Sequence, residues 1–159
     1  GDYEPGSFLS ALRAVATVTP FDGVDASAYA ITPRQKRAGQ HIFHLYLQGR
    51  WYECAIQVSS SATRIDSLDV SVLQEQVLIP FLGITDSRGD PRLQYLGGAR
   101  PIRDLMEKVD SGEFVAAIAM QPVDVQTVCE IADEGGIMPP KSTWFEPKLL
   151  SGLLVHLLE

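Results

Sequence analysis

Lys141, Ser142 and Thr143 stand in a row and offer one ammonium and two hydroxyls to any ligand that reaches them. They follow Pro139-Pro140, which stiffen the backbone, and they sit in a segment from Gly135 to Lys148 that crowds polar, proline and aromatic residues together. Such a group can hold a small anionic ligand through charge-assisted hydrogen bonds. The plainer reading is a rigid connector, with Lys141 solvated and Trp144 and Phe145 filling a core. The spacing from Gly135 to Ser142 superficially resembles a phosphate-binding P-loop, but Pro140 stands where that motif needs Gly. A proline there also removes one of the amide donors that a phosphate cradle depends on. Asp66 and Asp69 bracket the start of the strongest helical pattern in the chain. Capping and dipole pairing account for both. The chemical alternative makes Asp69 an acid, a base or a metal contact beside a bound anion.

Other chemistry has less support. His41 and His44 fall on opposite faces of one strand pattern, so they cannot share a metal as neighbours, and His156 stands alone in an apolar run. No His, Cys or Asp grouping has metal-ligand spacing, and no Gly-x-Ser-x-Gly elbow marks an esterase-like nucleophile. Arg88-Gly89-Asp90 reads as a turn. The residues name no cofactor. With a net charge of −7 over 159 residues the chain lacks the basic footprint for nucleic acid or an anionic membrane surface. No apolar run reaches the roughly 20 residues of a membrane helix. The two cysteines, Cys54 and Cys129, lie far apart and read as buried reduced thiols, which points to the cytoplasm.

The elements that must position these residues follow from periodicity. The spacing of Phe8, Leu12, Val15 and Ala16 predicts a helix over 7–17 that Ser7 can cap. Residues 22–39 have no period and read as a long connection, flexible or poorly ordered. His41 to Leu47 and Trp51 to Val58 alternate about a turn, which predicts a β-hairpin. It would pack one side on a core through Phe43, Leu45, Leu47, Tyr52, Cys54, Ile56 and Val58. A helix over 69–82 follows, capped by Asp66 or Ser67, disturbed by Pro80 and stopped at Gly83. Next come a turn-rich loop over 85–91, a short strand at 92–96, and a helix from Pro101 to about Val109. Phe114 to Met120 is a continuous apolar run that reads as a central buried strand. A helix from Pro122 to Asp133 should present Val125, Val128, Cys129 and Ala132 on one face. Leu153 to Leu158 closes the chain as a strand. The class is α+β (mixed α/β): one mixed sheet of about five strands, including the hairpin, packed with about four helices in a single globular domain over 1–159.

Four pieces occur in one order: Gln48-Gly49-Arg50-Trp51-Tyr52, Leu68 to Gln74, Leu82-Gly83-Ile84, and Met138 to Lys148. That order resembles the C-terminal part of the proteins catalogued as domain of unknown function 1015, over roughly residues 40–158. The resemblance implies that the chain is the C-terminal portion of a longer protein and packs or assembles with an N-terminal portion. In that family the upstream portion carries an Asp-Gly-His-His-Arg motif, similar to one in the ParB and sulfiredoxin-like group, which includes kinases acting on free serine. This chain has no such motif, so chemistry resting on it is not complete here. The resemblance leaves two expectations. One is a domain that is non-catalytic by itself, with the segment after Gly136 as its contact surface. The other is part of a phosphotransferase-like enzyme to which Lys141, Ser142, Thr143 and Asp69 contribute anion or substrate contacts.

Overall fold

A computed structural model describes residues 4–34, 38–58 and 63–143. The expected final strand, with Trp144, Phe145 and His156, lies outside them. The hairpin is the centre of the fold. Strands β2 (Gln40–Leu47) and β3 (Arg50–Gln57) pair antiparallel along their whole length, Gln40 opposite Gln57 and Leu47 opposite Arg50. Gln48 and Gly49 both take positive φ, 51° and 74°, the twist that a two-residue hairpin turn needs. Two shorter strands flank the hairpin, β1 (Thr17–Pro20) on β3 and β4 (Ala116–Met120) on β2, so the order is β1-β3-β2-β4. All three pairings are antiparallel. The described sheet therefore has four antiparallel strands, where a mixed sheet of about five was expected.

Several boundaries differ from the periodic reading. The first helix, α1, spans Pro5–Leu12 with Glu4 as its N-cap, and Ser7 caps nothing. The chain beyond it turns into β1 instead of continuing to residue 17, because Thr17, Val18 and Thr19 find partners on Ala55, Cys54 and Glu53. Among the described strands β4 lies at the end of the sheet, and only Ala119 in it is buried, so the apolar run is not the fully buried strand it resembles. Residues 92–96 form no strand. Arg92 is drawn instead onto Asp90 and the Leu82 carbonyl, and the Tyr95 hydroxyl donates to the Ser87 carbonyl.

The helix over 69–82 exists, but in three joined pieces: α2 (Asp69–Leu73), a π-helical turn (Gln74–Leu78) and α3 (Ile79–Leu82). Leu68 is the N-cap and no side chain caps the helix, so neither Asp66 nor Ser67 does. The widened turn lies just before Pro80, whose ring would otherwise crowd the carbonyl one turn back. Gly83, at φ 62°, ends the rod in the left-handed region. Two more helices complete the described chain, α4 (Ile102–Asp110) behind Pro101 and α5 (Val125–Asp133) behind Asp124.

Alternation sends the two sets of hairpin side chains to opposite faces. On the first face Phe43, Leu45, Leu47, Cys54 and Ile56 pack against Phe8 and Leu12 of α1 and against Val72, Leu73, Val77 and Leu78. Leu45, Val77, Leu12 and Cys54 are fully buried, and each large aliphatic chain so placed contributes about 1.5–3 kcal/mol. The second face is not left to solvent as a one-sided hairpin would leave it. Tyr46, Trp51 and Ala119 pack there with Ile102 of α4 and with Ile31 from the connection between β1 and β2.

Candidate functional site

The segment after α5 is built from its helix end outward. Gly135 takes φ 72°, and the amides of Gly135 and Gly136 bond the carbonyls of Ala132 and Ile131 at 3.0 and 2.8 Å. This paired closure is what a glycine beyond a helix end allows. Gly136 is also tightly seated: a side chain there would meet Ile131 Cγ2 at 2.9 Å and Ile65 Cδ1 at 3.0 Å. The chain then runs out to Pro139 and Pro140. These line a cavity of about 210 Å3 with Asp66, Ser71, Glu75 and Ser87, the last from the loop after α3. Among the described residues no basic side chain lines it.

The four residues singled out in the sequence make no hydrogen bond or ion pair that joins Asp69 to the other three among the described residues. Lys141 has φ 58°, is exposed, and makes no ion pair with any described residue. Ser142 donates its hydroxyl to the Pro139 carbonyl at 2.6 Å, which closes a tight turn on the prolines. Thr143 is exposed. Asp69 is not part of the cavity wall. Its carboxylate lies 2.7 Å from His41 Nδ1, on the first turn of α2 against the first half of β2. Asp69 and Lys141 share neither that cavity nor a hydrogen bond.

The His41–Asp69 contact is the feature that sequence reading missed. Asp69 was singled out, but its partner lies 28 positions earlier and no local spacing links them. Both side chains are largely buried, at 12% and 17% exposure. A carboxylate on Nδ1 fixes the ring and directs Nε2 elsewhere, the usual arrangement behind a histidine base or ligand. His44 points to the opposite face, as strand alternation requires, where it is fully buried beside Glu53. Among the described residues no three His, Cys, Asp or Glu side chains are placed to hold a metal ion.

The cysteines divide. Cys54 is buried in the first-face core, and burial pushes its thiol up to about 12. Cys129 is exposed, contrary to the expected apolar face of α5. Ile131 is the residue that α5 buries, and Arg64 pairs with Glu130 and Glu134 on the exposed side of the same helix. Val125 is left 65% exposed and Ile137 85% exposed. Comparison with family models, with curated proteins and with solved structures gave no match to the chain. Among the described residues no helix is long and apolar enough to cross a membrane.

Proposed function

We propose that the chain is a packing or assembly domain, non-catalytic by itself, of a longer cytoplasmic protein of the kind its motifs resemble. The observation that carries this reading is the state of the 138–143 segment. The Ser142 hydroxyl is engaged by the Pro139 carbonyl, and the adjoining cavity is walled by Asp66 and Glu75, a lining that repels anions. The segment acts as a buckle between α5 and the start of α2. At its head Ile137 is exposed as an aliphatic contact point, and the N-terminal portion of the longer protein is its occupant. A second reading, a phosphotransferase-like enzyme, has one observation in its favour: the Lys141 ammonium is exposed and carries no ion pair among the described residues.

Lys141→Ala in the intact protein separates the two. Nucleotide and phosphate affinity measured by calorimetry should stay unchanged with folding intact. A tenfold or larger loss would overturn the assembly reading in favour of the enzyme. Ile137→Asp should in turn weaken co-purification of the separately expressed N-terminal portion, and undiminished association would remove this surface from the proposal.

A further inference from the structure

The second face of the sheet carries a buried polar cluster with no part in the role proposed above. Gln121 Nε2 donates to the Ile31 carbonyl at 3.1 Å, and a carbonyl only accepts, so the orientation of the amide is fixed. The same nitrogen lies 3.4 Å from His44 Nδ1. An amide nitrogen cannot accept, so Nδ1 is the bare ring nitrogen and the proton sits on Nε2, facing Glu53 Oε2 at 3.3 Å. That carboxylate oxygen also accepts the Arg34 amide at 2.9 Å. The Phe21 ring stands edge-on to the imidazole at 4.6 Å, and the Arg34 guanidinium lies 4.9 Å above Phe21. Residues from both ends and the later half of the 21–34 connection thus converge on one imidazole. Its middle is held separately, by the amides of Ile102 and Arg103 on the carbonyls of Ala28 and Ala26.

We propose that residues 21–34 form an acid-released strap whose latch is His44. A proton added at Nδ1 makes that nitrogen a donor facing the donor Gln121. If the amide turns over to accept it, an oxygen faces the Ile31 carbonyl. Either arrangement breaks a tie between strap and sheet. Desolvation works in the same direction: it disfavours the imidazolium while the strap is closed and lowers His44 from its ordinary 6.5. The Arg34 guanidinium adds to this and Glu53 opposes it. From α4 the charge that reaches this face is Asp110, which is held by the Tyr46 hydroxyl. Opening therefore takes up a proton. The strap is fully held above pH 6.5 and loosens as pH falls below it, until the closed form itself protonates.

Hydrogen exchange on the whole chain between about pH 7.5 and 5, corrected for the intrinsic pH dependence of exchange, tests this through linkage to one proton. The reporters are the amides of Phe21, Arg34, Ile102 and Arg103, which bond to or from the ends and body of the strap. Their protection should fall by up to about tenfold per pH unit below the ordinary histidine range, while the β2–β3 amides keep theirs. His44→Gln should abolish the difference in pH response, and a variant that kept it would exclude His44 as the latch. Should that variant fail to fold, the native chain decides alone. Strap and hairpin losing protection together, or strap protection constant across the range, overturns the proposal.

Discussion

On the first face of the sheet, helical cover meets apolar side chains: α1 and the α2–α3 rod lie on Phe43, Leu45, Leu47 and Ile56, and the polar His41–Asp69 contact sits at the margin. On the second face, α4 shares the cover with an irregular backbone strap, and the buried groups include an imidazole, a carboxylate and a phenol. Apolar packing is non-directional and tolerates regular elements laid in any register that fills space. A strap has unpaired backbone groups to satisfy, so it needs directional partners, and each must sit at one place. The first face should therefore set global stability, and the second should set local opening.

The largest expected effect is on the first face. Leu45 is fully buried at the centre of the hairpin, and Leu45→Ala should destabilise the whole chain by about 2–5 kcal/mol. Urea unfolding followed by circular dichroism would show a lower midpoint with an unchanged slope. A loss under about 1 kcal/mol would mean that the first face is not the dominant core.

This division also explains what the sequence made legible. The hairpin was readable because period-two alternation marks its two faces, and the turn residues Gln48-Gly49 fit the break. The 69–82 helix and its stop at Gly83 were readable for similar local reasons. β1 was not, because Thr17-Val18-Thr19-Pro20 is short and follows apolar residues at helical spacing; only pairing with β3 decides it. The rotation of α5 was hidden as well, since the burial of Ile131 is a tertiary matter and even its polar neighbours Glu130 and Glu134 meet Arg64 from 66 and 70 positions away. The connection over 22–34 gave no period, and none exists to find: its middle and end are held by Gln121, Glu53 and the α4 amides. For the candidate site, the sequence drew attention to Lys141, Ser142, Thr143 and Asp69, but the hydrogen bond that joins Asp69 to His41 spans 28 positions and leaves no local signal.

On the second face the corresponding probe is Tyr46. Its hydroxyl donates to Asp110 Oδ1 at 2.9 Å and joins β2 to the end of α4. Tyr46→Phe should destabilise by about 1 kcal/mol near neutral pH, the net value of one such hydrogen bond. Burial, with the Asp110 carboxylate beside it, raises the Tyr46 phenol above its usual 10.0. An acid whose folded value is raised holds its stabilisation below the unfolded value and loses it as pH rises through the folded one. The native chain should therefore weaken above pH 10, and the Phe variant should weaken less over the same range. Parallel alkaline curves for the two proteins would show that folding does not raise the Tyr46 phenol.

The smallest effect should come from removing only the charge of Asp69 at the margin of the first face. Asp69→Asn keeps an oxygen that can face His41 Nδ1 but removes the charge, both from that contact and from the first turn of α2. Charge at a helix N-terminus is worth about 0.3–1 kcal/mol, and the retained acceptor limits the further loss, so a decrease of about 1 kcal/mol or less is expected. Asp69→Ala removes the acceptor too and should cost about 1–2 kcal/mol, because His41 is then left largely buried without its partner. The spacing between the two variants isolates the hydrogen bond from the charge. Equal losses for Asn and Ala would make the contact purely electrostatic. A change in nucleotide or phosphate binding on Asp69→Asn, with the unfolding midpoint unmoved, would instead give Asp69 a chemical role that its hydrogen bond to His41 does not require.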